Sequence, residues 1–470
     1  MQPVPFSIQA YKAPDRSIEA QCFINYFAQE TPPDEKTPVL LLPRPGLPLF
    51  ANVGTGPIRG EHTVKGQAFV VSGTNLYSVD ANGNSQDLGA IVGDGVVRMD
   101  DNGTELAIAS GEKGYIFDGL TLELISDPDF PGAIDVAYLD GYFVWLKPRS
   151  AEFFISALRD GKSYDPLDFA TAEADPDDNL SLIVDNRFLW IFANNTIELW
   201  FNSGASDFPL ERVAGGVIQR GLVAAESPAR LDNSVFWLGT GEDGGFVVYR
   251  NSGVTPLRVS THPIERAIES YDNVTEAIGL SFTLGGHSFY SLTFPGIATW
   301  VYDANTQLWS QWDSRSDKNA SIKQWRAIRH TFAYNKHLVG DFENGNIYTL
   351  DLDMGTDNNE TIVRRMTTPV IHNDREDLTM DRFELDIRRG VGLTEGQGSD
   401  PQAILRFSDD NGNTWSNDKT RSFGKRGDYE ERVTWNRLGQ FKERIVEISI
   451  SDPVPTVIKT GYMNGEPRFG

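Results

Sequence analysis

Seven times along the chain an apolar strand runs into a tight polar turn, usually followed by a returning strand, and the spacing of those turns restricts the fold more than any other feature. The fullest copy is ATWVYDANTQLWSQWDS, residues 298–314. Related stretches begin at Asn75 (NLYSVDANGNSQDLG), Gly114 (GYIFDGLTLELIS), Glu152 (EFFISALRDGKSYDPLDF), Thr196 (TIELWFNSGASDFPLERV), Phe246 (FVVYRNSGVTPLRV) and Asn346 (NIYTLDLDMGT). With Gly83, Gly119, Gly161, Gly204, Gly253, Asn305 and Gly355 as turn markers, the intervals are 36, 42, 43, 49, 52 and 50 residues. A period averaging about 45 residues belongs to the blades of a propeller.

Each hairpin is preceded by another apolar strand with its own Gly- or Asn-containing turn, such as AFVVSGTN, LWIFANNT or LVGDFENGN, and further upstream by a third, such as VVRMDDNG or LSLIVDNR. Gly and Asn tolerate the positive φ that two-residue hairpins require. Four antiparallel strands per unit make a blade. Continuous apolar runs, Tyr142 to Leu146 and Phe188 to Phe192, suit strands buried on both faces between neighbouring blades. The chain therefore reads as all-β: a β-propeller over residues 38–365, of seven blades with six as the alternative count, after an extended N-terminal arm over 1–37. The last unit lacks a returning strand, and VLLLPRPG from Val39 is the expected closing strand, removing the open edges. One helix is expected near 263–272, in THPIERAIESYD, with Pro263 in its first turn and Ile264, Ala267, Ile268 and Tyr271 on one face. Residues 366–470 break the period and read as a small β-sandwich-like domain of six to eight short strands.

The formal charge is −24, and residues 371–470 hold 15 Lys and Arg against 18 Asp and Glu, so the first 370 residues carry −21 of it. Such an acidic propeller disfavours ordinary nucleic-acid binding, because it repels phosphate. No apolar run approaches the roughly 20 residues of a membrane helix, and the N-terminus lacks the pattern of a secretory signal, so synthesis and folding in a cytoplasm are expected. Cys22, the only cysteine, excludes an intrachain disulfide and reads as a small buried hydrophobe.

The sharpest local motif is SDDNGNTW, which fits the Asp-box S-x-D-x-G-x-T-W through Ser408, Asp410, Gly412, Thr414 and Trp415. It is read as a structural hairpin turn, with Asp410 capping backbone N–H groups and Gly412 taking the positive torsion. A sialidase-like site would need an arginine cluster and a Tyr/Glu pair; Glu384, Arg388 and Arg389 are the residues one could enlist, without a spacing that demands it. Asp100 and Asp101, and Asp175, Asp177 and Asp178, lack the ligand pattern of a calcium loop and read as turn residues. His287, at the start of an apolar strand, reads as structural. No catalytic motif, cofactor fingerprint or metal-ligand spacing is present, so no enzyme activity and no cofactor are expected.

Two long stretches, Gln21 to Gly60 (QCFINYFAQETPPDEKTPVLLLPRPGLPLFANVGTGPIRG) and Ser260 to Trp312, resemble the packaged-DNA stabilisation proteins, or tail hub (nozzle) proteins, of short-tailed bacteriophages. The resemblance implies a structural virion protein of the tail, assembled in the host cytoplasm. It implies a homo-hexameric ring below the portal and head-to-tail adaptor that retains packaged DNA, passes the genome during ejection without sequence-specific binding, and attaches tail fibre, spike or needle proteins. The competing readings are a tail-associated propeller that binds or cleaves glycans and a cellular propeller scaffold.

Overall fold

The computed structural model describes residues 1–10, 22–32, 37–175, 177–314, 324–374 and 376–467. Seven four-stranded antiparallel sheets succeed one another: blade one spans 58–90, blade two 97–124, blade three 135–171, blade four 179–218, blade five 229–258, blade six 278–312, and blade seven 327–349 completed by Leu49–Asn52. The first strand of each blade lies nearest the axis, and at six of the seven blade junctions it packs beside the first strand of the next blade. Turn chemistry sets this up. Six of the seven blades join their first two strands through two residues at positive φ: Lys65–Gly66, Asp140–Gly141, Asn186–Arg187, Asp232–Asn233, Gly285–Gly286 and Tyr334–Asn335. Such turns match the twist of the strands they connect.

Second strands such as Leu106–Ser110 and His287–Phe294 are buried along their whole length, as the apolar runs require for strands covered on both faces. Seven hydrophobic clusters fill the seven blade–blade interfaces, among them Val71, Ile108 and Phe117 between blades one and two, and Phe282, Trp312 and Trp325 between six and seven. The count of seven is thus fixed by sheets and by cores.

An N-terminal strand does close the ring, but it is Leu49–Asn52, with Ala51 opposite Ile347, and not the run starting at Val39. Outer strands are the most exposed in a blade: Ser85–Ala90 and Thr255–Arg258 have no buried residue. Leu49–Asn52, with only Ala51 buried, fits that position better than the more apolar Val39–Pro43. That run instead pairs with Tyr26–Glu30 and belongs to the second domain. The helix, His262–Glu269, connects blade five to blade six, and Ile264, Ala267 and Ile268 enter the core those blades share.

The sandwich draws on both ends of the chain. One sheet has the order Tyr26–Glu30, Val39–Pro43, Ile458–Pro467, Leu378–Ile387, Val433–Phe441, with Gln2–Val4 also paired to Ile458–Pro467. The other runs Phe23–Ile24, Arg364–Thr367, Glu443–Ile450, Gln402–Ser408, Lys419–Ser422. The described part of residues 1–37 is therefore not a free extended arm. Val4, Phe6, Phe23 and Tyr26 are buried, and Ala10 donates its N–H to the carbonyl of Trp309 in blade six. The remainder of the expected arm, 11–21 and 33–36, lies outside the described residues.

Ile24 also pairs with Gln311, so the outer strand of blade six continues directly into a sandwich sheet. Beneath this seam lies a buried polar network. Arg44 grips Asp357 with two bonds, 3.0 and 2.6 Å, and donates to Asn25 Oδ1 at 2.8 Å; Asn25 Nδ2 reaches Asp313 at 2.7 Å. Asp357 is placed by the short hairpin Thr356–Asp357 with Glu360–Thr361, whose two turn residues, Asn358 and Asn359, have positive φ. Trp309, Tyr302 and Tyr290 of the propeller share one continuous core with Phe383, Trp435 and Ile448 of the sandwich.

Candidate functional site

The first strands bring charged side chains to the propeller axis, and the arginines among them reach across it. Arg98, on blade two, donates from Nη2 to the Ala225 carbonyl at 2.7 Å, in the loop that leads into blade five. Its Nε lies 3.9 Å from Asp135 on blade three. Arg329, on blade seven, donates from Nε to the carbonyl of Arg59 at 2.9 Å, and its Nη2 lies 2.6 Å from Glu226 of that same loop. Arg230, on blade five, donates to the Val184 carbonyl of blade four at 2.8 Å, and its own carbonyl accepts from Ser281 of blade six. Asp135, buried, accepts from Ser181 Oγ and the Leu182 N–H of blade four; burial raises its carboxyl, with Arg98 opposing.

This stitching leaves an axial cavity of about 360 Å³ lined by Glu61, Arg98, Glu226, Arg230, Arg329 and His330 among others. Both carboxyl oxygens of Glu61 are buried without a hydrogen-bond partner among the described residues. They sit against Gly340 of blade seven, where a Cβ would come within 2.7 Å of Oε1. Burial pushes the Glu61 carboxyl up to about 8, with Arg329 opposing. At neutral pH it is mostly protonated. His330 faces His337, ring nitrogens 3.0 Å apart, and burial followed by that neighbour pushes it down to about 3. The cavity wall therefore brings three guanidiniums together with Glu61 and with Glu226, which Arg329 already holds.

The Asp-box turn lies after the sandwich strand Gln402–Ser408. Asp410 Oδ1 accepts from the Thr414 N–H at 2.8 Å and from Ser408 Oγ at 2.7 Å, Oδ2 accepts from Thr414 Oγ1 at 2.6 Å, and Gly412 has φ +86°. These bonds, led by Thr414, hold the Asp410 carboxyl down at about 2. Trp415 is half-buried, with the Arg406 guanidinium 4.6 Å from its ring centre. Within the turn, Ser408, Asp410, Gly412 and Thr414 bond to one another, while Trp415 lies against Arg406 of the preceding strand.

The other residues singled out from sequence are dispersed. Glu384 pairs with Arg382 at 2.6 Å, while Arg389 donates to the Glu431 carbonyl. Asp177 accepts from the Asn195 N–H, and Asp100 from the Tyr138 N–H of blade three. Asp101 accepts from the Gly103 N–H and pairs with His62 at 2.7 Å. His62, Asp100 and Asp101 are the one group among the described residues with three potential metal ligands close together, and these acceptor roles occupy them. His287 is buried and bonded to Asp303 at 2.7 Å. Cys22 is half-buried rather than buried. The axial arginines were missed in the sequence; the signal that could have found them is an arginine recurring in the first strand of three units, VVRMDD, ARLDN and AIRHTF.

Comparison with known proteins agrees with this two-part architecture. A family model described as bacteriophage P22 Gp10, beta-propeller, matches residues 21–355, and one described as bacteriophage P22 Gp10, beta-sandwich, matches residues 363–466. None of the curated proteins compared with the chain matches it. Among solved structures, the crystal structure of the N-terminal domain of Nup159 is similar with a TM-score of 0.41 and 10% identity, over 70% of this chain and 99% of that one. With propeller and sandwich matched consecutively over nearly the whole sequence, the chain belongs to the bacteriophage P22 Gp10 family, the DNA-stabilisation or tail-hub proteins of short-tailed phages.

Proposed function

We propose that this phage structural protein is the hub, or nozzle, of a short tail. Copies of the chain form a ring, six on the family pattern, below the portal and adaptor; the ring retains packaged DNA, passes it during ejection and carries the distal fibre, spike or needle proteins. The single observation that carries the reading is the consecutive match of both domains to one tail-hub family. The physical properties of the chain support it. A propeller whose last blade is closed by Leu49–Asn52, and whose sixth blade is continuous with a sandwich sheet, has no hinge at the domain junction and suits a load-bearing wall.

The axial cavity, at about 360 Å³, has the size of a small-molecule site. It cannot admit a duplex whose major groove alone is about 12 Å wide. The DNA path in this reading therefore runs between copies, along surfaces whose acidity gives the phosphate backbone little to adhere to. The test is to assemble particles without this chain and measure the DNA that remains in the heads. Heads that fill and then lose their genome support the reading; heads that keep it through purification overturn the retention role.

A further inference from the structure

Three arginines meet at the axis of this acidic propeller. The first 370 residues together carry −21, yet Arg98, Arg230 and Arg329 come from blades two, five and seven to one cavity of about 360 Å³ at the axis. Their demands are met unequally. Arg329 is satisfied by Glu226 and the Arg59 carbonyl. Arg98 is satisfied in part, by the Ala225 carbonyl at 2.7 Å and by Asp135 at the longer distance of 3.9 Å. Arg230 donates one bond, to the Val184 carbonyl, and no carboxylate lies within ion-pair distance of it among the described residues. A guanidinium carries five donors in a planar fork suited to carboxylate or phosphate oxygens. Arg230 thus has donors to spare, on the wall of a cavity too small for a macromolecule.

We propose that the propeller axis is a binding site for a small oxyanion, a phosphate or a carboxylate, held by Arg230 with Arg98 beside it. This goes beyond the tail-hub reading and does not depend on it. The other charged or titratable groups at the cavity are Glu226 from the loop before blade five, held by Arg329, and Glu61 and His330 from blades one and seven; behind the wall, Asp100 of blade two acts electrostatically on Arg230, and buried Asp135 of blade three lies 3.9 Å from Arg98. His330 is neutral. Glu61 is uncharged at neutral pH and places a negative charge beside the site only as the pH rises through about 8. Occupancy should fall above that pH in the wild-type chain and persist in Glu61→Gln.

The experiment is isothermal titration of the full chain with inorganic phosphate and, separately, with acetate, at constant ionic strength set with chloride. At pH 7, saturable one-to-one binding of at least one of the two probes is expected, and the stronger binder assigns the oxyanion class. Arg230→Gln should weaken it roughly tenfold or more, as loss of a charge-assisted bond implies. Arg230 is exposed, so this variant is expected to fold, and its thermal transition checks that. Glu61→Gln at pH 9 should bind more tightly than wild type at pH 9 and equally at pH 7. No saturable binding of either probe, binding that Arg230→Gln leaves unchanged, or binding indifferent to Glu61→Gln at both pH values would each overturn the proposal.

Discussion

Glu61 and Arg44 place buried charge in opposite circumstances, and they respond differently to substitution. Arg44 is fully buried and has all its partners, including the bidentate Asp357. Removing one member of such a pair strands the other, so Asp357→Asn should cost about 3–5 kcal/mol of unfolding free energy, measured by denaturant titration. Glu61 has no donor among the described residues and stays neutral at neutral pH by taking a proton. Its folded value is raised above the unfolded one, so its favourable contribution is complete below about pH 4.5 and is lost as pH rises through about 8. Glu61→Gln should accordingly raise the midpoint of thermal unfolding at pH 8.5 and leave it nearly unchanged at pH 4. A uniform change at both pH values would remove the burial explanation. At this scale the sequence was legible where a turn dictated residue type: the Asp-box could be placed residue by residue because Asp410, Gly412 and Thr414 act locally. Arg44, Asp357 and Asn25 could not be found, because their bonds join positions up to 313 residues apart.

Among elements, blade strands were legible from the repeat of turns, and the helix from one apolar face against Pro263. Hydrophobicity ranks Val39–Pro43 above Leu49–Asn52 as the closing strand, whereas an outer blade strand faces solvent and needs one buried side chain. That strand leads to a prediction. Ala51→Pro removes the N–H of the residue paired with Ile347 in the ladder to Asn346–Thr349 and should lower the midpoint of thermal unfolding. Because a ring lets no blade open alone, amide exchange should accelerate in blades one and six as well as in seven. Acceleration confined to blade seven would show that closure does not couple the blades. The helix makes a simpler case. Ile268→Ala empties a fully buried position between blades five and six and should cost about 2–5 kcal/mol.

For the whole molecule, fold class and family were both legible, the first from the period of about 45 residues and the second from two long segments. The way the domains interlock was not. The expected boundary near residue 366 treats the sandwich as C-terminal, but its sheets take in Gln2–Val4, Phe23–Ile24, Tyr26–Glu30 and Val39–Pro43, a pairing across most of the chain that no local pattern reports. The same scale sets the expectation for DNA. A chain of −24 should show no measurable binding to duplex DNA at physiological salt in an electrophoretic assay; binding that weakens steeply with added salt would reveal a basic track among the copies and contradict a non-adhesive passage. Electron cryomicroscopy of the intact tail would show both the ring and the path of the DNA. The expected map shows this chain as a ring of seven-bladed propellers below the adaptor, each propeller axis closed and the DNA density running between the copies. A map that places the chain outside the DNA path, or threads DNA through a propeller axis, would contradict the account.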